Sequence, residues 1–274
     1  MSAPDYTNQT DKTNLAIEAR NLAVAYGKRV IQQNLNFWVR QGDIFIIMGG
    51  SGCGKSSVLR VLMGLNPPAC GEVFYNTCNF WEQATAVRSE MMRSVGVLFQ
   101  AGALWTSRTL AENIALPLEN YTNLPLKSIQ DLVSLKLALV GLAGYENYYP
   151  SEISGGMRKR AGLARALALD PKTLFLDDPS AGLDPISAAA LDELILNLRT
   201  SLGMTILVVT HELASIFAIA DDAIFLDSVE KTILAKGSPR QMLESGPPEV
   251  GRFLRRELPF QQNKPHLVEK AQTL

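Results

Sequence analysis

Apolar residues occur along the chain in two patterns, short strand-like runs and helically spaced positions. Residues 15–25 and 30–39 read as strands of an antiparallel sheet, because apolar side chains in the second alternate with polar neighbours. Short continuous apolar runs are typical of strands buried on both faces. Such runs occur at residues 43–48, 95–99, 173–176, 205–209 and 223–227.

Helical spacing follows several of these runs. It is present at residues 55–65, 163–169 and 191–202. Strand signals are missing between residues 101 and 169, where residues 110–118 and 127–142 have helical patterns instead. Alternating strands and helices predict an α/β layer architecture, with a helical lobe inserted at about residues 101–169.

The two ends of the chain differ from this main domain of residues 15–245. Residues 1–14 are polar, predict a flexible leader and lack the features of a secretory signal. Residues 246–274 form a C-terminal extension that begins with Gly246, Pro247 and Pro248 and includes a short amphipathic stretch. Because no apolar run approaches the ~20 residues needed to cross a bilayer, we expect any membrane role to be peripheral.

Composition narrows the class of partner. The chain has 26 basic and 27 acidic residues and a formal net charge of -1, so no overall basic field favours nucleic acid, and we expect no nucleic-acid partner. Its three cysteines are Cys53, Cys70 and Cys78. Their odd number and spacing predict free thiols in a reducing compartment.

A glycine-rich loop follows the run at residues 43–48 and precedes a helix. It has the pattern Gly-x4-Gly-Lys-Ser, in which backbone N–H groups surround a phosphate, lysine contacts the outer phosphates and serine binds Mg²⁺. The helix N-terminus adds a favourable dipole. The loop comprises Gly49, Gly50, Ser51, Gly52, Cys53, Gly54, Lys55, Ser56 and Ser57. We therefore predict binding of a Mg-nucleotide, and we expect alkylation of Cys53 to block it and ATP to protect.

A second anion-binding candidate lies at residues 153–160. Ser154 is a good N-cap, and Gly155 and Gly156 leave N–H groups open at a helix start. Residues 158–160 are Arg-Lys-Arg, placed where the helix dipole disfavours positive charge. This basic run either faces a phosphate or acidic partner or is a solvated basic turn.

The phosphate loop, the Ser154-Gly155-Gly156-Met157 segment and a buried strand ending in Asp177 and Asp178 together resemble the ATP-binding-cassette (ABC) ATPase family. The resemblance covers about residues 15–243. It implies a P-loop NTPase (RecA-like) α/β core with an antiparallel β subdomain and an inserted helical subdomain. It also implies ATP and Mg²⁺ as cofactors.

The resemblance assigns roles to the two acidic residues. Asp177 matches the Walker B aspartate, which with Ser56 and Gln100 holds Mg²⁺. Asp178 occupies the position where relatives usually have a glutamate that orients the attacking water. Aspartate is one methylene shorter, and a misplacement of ~1 Å costs on the order of 100-fold in rate. We therefore expect slow hydrolysis, unless the backbone compensates.

Further residues match the family one by one. Lys55, Asp178, His211 and Gln100 take catalytic positions, His211 as the switch histidine and Gln100 in the Q-loop. Residues 180–184 resemble the D-loop. The segment from Ser154 to Met157 corresponds to the part that closes on the γ-phosphate bound by a second protomer. Tyr26 resembles the aromatic residue that stacks on adenine, although a strand tyrosine is also compatible with a core position.

Residues 98–105, 154–157 and 179–186 resemble the ATPases of Mla/Mce-type bacterial lipid transporters. The resemblance implies a homodimer on the cytoplasmic face of the inner membrane. It also implies an integral membrane permease and an MCE-type lipid-binding protein as partners, and phospholipid transport between envelope membranes as the function. Two alternatives remain, an ABC ATPase for another cargo and a soluble ABC assembly factor such as that of iron–sulfur cluster assembly.

Two segments have open interpretations. The apolar residues 101–105 either bind a permease helix, with Trp105 as the test position, or pack inside the helical lobe. Residues 250–260 resemble extensions that pack on the neighbouring protomer, and their polar continuation is equally compatible with disorder.

Overall fold

The structure, a computed structural model, describes residues 14–257. Its strands are β1 (Leu15–Tyr26), β2 (Arg29–Arg40), β3 (Ile44–Gly49), β4 (Cys70–Tyr75), β5 (Cys78–Asn79), β6 (Val95–Leu98), β7 (Thr173–Asp177), β8 (Thr205–Val209), β9 (Asp222–Leu226) and β10 (Ile233–Gly237). Its α-helices are α1 (Lys55–Leu62), α2 (Thr85–Arg93), α3 (Leu110–Tyr121), α4 (Leu126–Leu139), α5 (Gly155–Ala166), α6 (Pro185–Leu202), α7 (Leu213–Ile219), α8 (Pro239–Ser245) and α9 (Pro248–Arg255).

The strands form two sheets. A six-stranded sheet has the order β10-β9-β3-β8-β7-β6 and is parallel except for β10, which pairs antiparallel with β9. A four-stranded antiparallel sheet has the order β2-β1-β4-β5. The predicted α/β core with an antiparallel β subdomain is therefore observed.

The side chains of β3 alternate between the two faces of the central sheet. Ile44, Ile46 and Met48 belong to a core shared with the helical lobe, whereas Phe45 and Ile47 belong to a core shared with α1 and the antiparallel sheet. All five are buried. This two-sided burial explains why the strand reads as a continuous apolar run.

Helices α3, α4 and α5 lie between β6 and β7, where the sequence predicts the helical lobe. No strand occurs between residues 99 and 172, all of which are described. Helix α5 begins at Gly155, directly after the predicted N-cap Ser154, whose hydroxyl accepts a hydrogen bond from the Met157 N–H at 3.2 Å.

Several predicted boundaries change. Helix α1 ends at Leu62 instead of residue 65, because Gly64 takes a left-handed conformation with φ 71° and leaves Leu65 exposed. Helix α6 begins at Pro185, the residue that the sequence indicates as the first of this helix, and extends through the helical pattern at residues 191–202; the Asp184 carboxylate accepts N–H bonds from Ile186 and Ser187. Strands β4, β5 and β10 and helices α2, α7 and α8 were not predicted.

The C-terminal amphipathic stretch forms α9 and packs on its own chain. Val250 is fully buried and Leu254 is 4% exposed, and the Phe253 ring packs edge-on against Phe225 with centroids 5.1 Å apart. The two buried side chains thus pack on their own chain, and contact of the extension with a second protomer stays a prediction. The rest of the extension, from residue 258, and most of the predicted leader lie outside the described residues. Within the described part, no helix is long and apolar enough to cross a membrane.

Candidate nucleotide site

The phosphate loop connects β3 to α1 and depends on glycine. Gly49, Gly52 and Gly54 have positive φ values of 147°, 75° and 102°, which side-chain-bearing residues rarely adopt. A Cβ on Gly49 would lie 2.4 Å from the Leu226 backbone oxygen, and one on Gly54 would lie 2.4 Å from Ile31 Cγ2. Both glycines are therefore required by conformation and by space.

Lys55 is the first residue of α1 and is 9% exposed. Its ammonium group donates hydrogen bonds to the backbone oxygens of Gly49 and Gly50, at 3.0 and 2.9 Å. The loop thus folds around the positive charge. A phosphate placed in the loop would meet this ammonium group and the N-terminus of α1.

Ser56 and Asp177 bring two oxygen donors together beside the loop. The Ser56 hydroxyl donates to Asp177 Oδ1 at 2.9 Å, which joins α1 to the end of β7. Burial raises the pKa of Asp177, and the hydrogen bond from Ser56 opposes that shift. A hydroxyl next to a carboxylate fits a hard cation such as Mg²⁺.

Gln100 does not join this pair in the structure. Gln100 is exposed, and its backbone oxygen accepts a hydrogen bond from the Lys159 ammonium group. The predicted roles of its side chain toward Mg²⁺ and in catalysis remain predictions.

Asp178 and His211 face each other at the ends of β7 and β8. His211 Nδ1 lies 3.0 Å from Asp178 Oδ2, and the Asp178 N–H donates to the Val209 oxygen at 2.8 Å. Asp178 has φ 49°, a left-handed conformation that aspartate adopts more readily than most residues. Its other carboxylate oxygen, Oδ1, is buried and has no hydrogen-bond partner among the described residues.

Tyr26 lies at the end of β1 and is 46% exposed, so it is not a core residue. Its hydroxyl donates to Ser57 Oγ and accepts from Asn66 Nδ2, each at 3.4 Å. The hydrogen bond with Ser57 lowers the pKa of Tyr26. An exposed ring tied to the start of α1 suits base stacking, which is the first of the two interpretations from sequence.

The Ser154–Met157 segment lies against the D-loop and the start of α6. A Cβ on Gly156 would lie 3.4 Å from Ser187 Cβ, and one on Gly155 would lie 3.9 Å from Leu183 Cδ2. Ser154 is exposed. The segment therefore presents its capped helix start to solvent, where a second copy can reach it.

The basic run after this segment is only partly solvated, because Arg158 is exposed, Arg160 is partly buried and Lys159 is buried. Arg158 Nη1 donates to the Ile153 oxygen at 2.7 Å, and Arg160 Nη1 donates to the Val140 and Gly141 oxygens at 3.3 and 3.4 Å. Lys159 is buried and donates to the backbone oxygens of Gln100 and Asp178. All three cations bind carbonyl groups of their own chain, and burial of Lys159 corrects the solvated interpretation for that residue.

Sequence reasoning therefore missed Lys159 as a residue of the site. A usable signal exists, since Lys159 and the fully buried Leu163 are four residues apart and share one face of α5. Cys53 also differs from expectation, because it is 2% exposed. Burial raises the pKa of the Cys53 thiol and makes it less reactive than an exposed cysteine.

Comparisons with known proteins identify the family of the chain. A family described as "ABC transporter" matches residues 32–181, which is more than half of the chain. The chain belongs to the ABC transporter ATP-binding family. The ABC ATPase class and fold predicted from sequence are confirmed.

Two relatives are the intermembrane phospholipid transport system ATP-binding proteins MlaF of Haemophilus influenzae and Escherichia coli K12. The first is 39% identical over 88% of this chain and 90% of its own length, and the second is 37% identical over 87% and 88%. A Mycobacterium tuberculosis protein named "probable ribonucleotide transport ATP-binding protein mkl" is 39% identical over 88% of this chain, but over 66% of its own length.

Solved structures extend the comparison to fold and assembly. The ATP-binding cassette MJ0796, a dimer bound to ADP and Pi, has a TM-score of 0.74 and 26% identity and covers 81% of this chain. The cassette cbiO1 from Clostridium perfringens has a TM-score of 0.77 and 24% identity over 90% of this chain, which supports the fold alone.

Proposed function

We propose that this chain is the ATP-hydrolysing subunit of a bacterial transporter that moves phospholipids between the envelope membranes. The observation that carries the ATPase assignment is the joining of the phosphate loop, Asp177, Asp178 and His211 at one edge of the central sheet. The cargo assignment rests on identity with the two phospholipid transport ATPases over nearly their whole length.

Each residue has a role in the proposed hydrolysis. Lys55 releases the loop carbonyls and binds the outer phosphates, while the N–H groups of the loop surround them. Ser56 and Asp177 would hold Mg²⁺, which neutralises charge on the phosphates when bound. Asp178 accepts a hydrogen bond from the attacking water through a carboxylate oxygen. His211 orients the Asp178 carboxylate and lies beside the position of the γ-phosphate.

The site is proposed to be complete only in a homodimer. The exposed start of α5, from Ser154 to Met157, would cover the nucleotide held by the loop of the second copy. Backbone N–H groups at a capped helix start bind anions. ATP binding is then also dimer closure, and hydrolysis permits opening. The dimer of the related cassette MJ0796 supports this assembly.

We propose that the dimer works at the cytoplasmic face of the inner membrane by docking on an integral permease, in a complex with an MCE-type lipid-binding protein. Trp105 supports the docking position, because its ring is 55% exposed and the Arg108 guanidinium lies 5.6 Å from its centroid. Leu104 instead packs against the core of the helical lobe. Leu104 therefore fits the interpretation that this stretch packs inside the helical lobe. Trp105 is exposed and remains available for docking on a permease.

Purification of the tagged chain from native membranes tests this proposal. We expect an integral permease and an MCE-type protein to copurify, and phospholipid to move between donor and acceptor membranes only with ATP. The Lys55→Ala variant is the matched control and should assemble without supporting transport. Recovery in the cytosolic fraction with soluble partners would favour the assembly-factor alternative. A permease specific for a ribonucleotide or another solute would replace the cargo assignment.

A further inference from the structure

The Lys159 side chain connects two loops of the proposed site. Its ammonium group donates to the Gln100 backbone oxygen after β6 and lies 3.4 Å from the Asp178 backbone oxygen after β7. The residue is 7% exposed. A buried ammonium group requires polar partners, because transfer from water to an apolar interior without them is costly. These two carbonyls supply them.

Helix α5, which carries Lys159, also contacts the loop after Gln100 through other residues. Arg165, also on α5, donates to the backbone oxygens of Gly102 and Ala103, at 3.1 and 2.8 Å. Gly162 packs so closely that an added Cβ would lie 3.0 Å from the Gly102 oxygen. The backbone of residues 100–103 therefore moves together with α5.

Fewer contacts hold the backbone at Asp178. Its backbone oxygen accepts from the Ala181 N–H at 3.2 Å as well as from Lys159, and its left-handed φ of 49° is sparsely populated. The carboxylate that contacts His211 is attached to this strained residue. A change in the position of Lys159 would therefore reorient the Asp178 carboxylate.

We propose that Lys159 is a positioning residue for ATP hydrolysis, which links the loop at Gln100 to the Asp178 carboxylate. The inference rests on the proposed function. When the helical lobe moves relative to the sheet, α5 moves both the Gln100 loop and the ammonium group. The Asp178 carboxylate is then placed for hydrolysis in only one arrangement of the helical lobe relative to the sheet. The chemistry is carried by Asp178. The hydrogen bonds of Lys159 among the described residues go to backbone oxygens, while its positive charge also attracts the Asp178 and Asp177 carboxylates.

The test compares Lys159→Met and Lys159→Gln with Lys136→Met in the assembled complex. Lys136 is the matched control because it is also a buried lysine, 5% exposed, but pairs with Asp170 away from the nucleotide loop. For each variant, kcat and KM for ATP, the Kd for a non-hydrolysable ATP analogue and Tm are measured.

We expect Lys159→Met to lower kcat about tenfold or more, since a misplacement on the order of 1 Å costs on the order of 100-fold. KM and the analogue Kd should stay within about twofold, because neither carbonyl contacts the nucleotide in the proposed site. The glutamine side chain retains an N–H donor, so Lys159→Gln should have an intermediate kcat. Lys136→Met should keep the kcat of the unmodified protein.

A Lys159→Met enzyme with unchanged kcat, or a loss shared equally by Lys136→Met, would overturn the positioning role. If Lys159→Met does not fold, Lys159→Gln decides the question, and a normal kcat at normal Tm counts against the proposal. Failure of the unmodified chain to bind the analogue would instead refute the proposed ATPase function.

Discussion

Replacing Asp178 with glutamate extends the carboxylate by one C–C bond of about 1.5 Å. In the structure, the shorter side chain reaches His211, with 3.0 Å between Asp178 Oδ2 and His211 Nδ1, while Oδ1 is buried without a partner among the described residues. The extension therefore moves the oxygen atoms farther from the backbone of the strand end.

The expected gain follows from the cost of misplacement. If the aspartate holds the water on the order of 1 Å from its best position, hydrolysis is slowed on the order of 100-fold, and Asp178→Glu should recover roughly 10- to 100-fold in kcat. The same change has a structural cost. Glutamate is less suited than aspartate to a φ of 49°, and the left-handed conformation costs roughly 1–2 kcal/mol. A fall in Tm of less than about 8 °C should accompany the faster rate, because the aspartate at this position already bears part of that cost.

Phosphate release by the purified, assembled complex at saturating ATP measures the effect. Asp177→Glu is the matched control, because it adds the same methylene at the neighbouring acid. It should lower kcat, since the added length disturbs the 2.9 Å contact with Ser56. Asp178→Asn removes the charge and should nearly abolish turnover while retaining ATP binding. An unchanged or lower kcat for Asp178→Glu, in a complex that still binds ATP, would refute the reasoning.

Three further predictions follow from burial and exposure. A thiol reagent should label the exposed Cys70 well before the buried Cys53, as mapped by mass spectrometry, and equal rates would contradict the closed loop. Trp105→Ala should preserve ATP binding by the isolated chain but weaken permease-stimulated hydrolysis, and intact coupling and assembly would exclude that docking position. Asp192→Asn should raise the free energy of unfolding more at pH 8 than at pH 4 in urea titrations. Burial raises the folded-state pKa of Asp192, so the native protein favours the protonated form and loses stability as pH rises above the unfolded pKa; equal effects at both pH values would contradict this.

The parallel strands could be predicted from sequence because burial on both faces leaves a continuous apolar run. Strand β8, Thr205–Val209, was predicted with its observed bounds. Helix α2 was not, since none of its residues is buried and it has no apolar stripe. Strand β10 was not predicted either. All of its residues are half-buried, so it lacks the alternation of buried and exposed positions that identifies a strand.

The candidate site was predicted in its residues but not in its contacts. Motif spacing predicted Lys55 and Ser56, because phosphate and Mg²⁺ binding require those residue types in that order, whereas Asp177 was assigned by resemblance to the family. The orientation of Lys159 was missed because charge in a helical first turn usually indicates a solvated face. Only the tertiary packing of α5 against the Gln100 loop places that lysine inside.

The central claim is that ATP binding closes two copies of this chain around shared nucleotides. Asp178→Asn protein with Mg-ATP tests it most directly by light scattering after size-exclusion chromatography. The account predicts that the 30.0 kDa chain doubles in mass with ATP, remains monomeric with ADP, and fails to dimerise when Lys55→Ala is added. A mass independent of nucleotide, or a dimer that forms equally with Lys55→Ala, would contradict it.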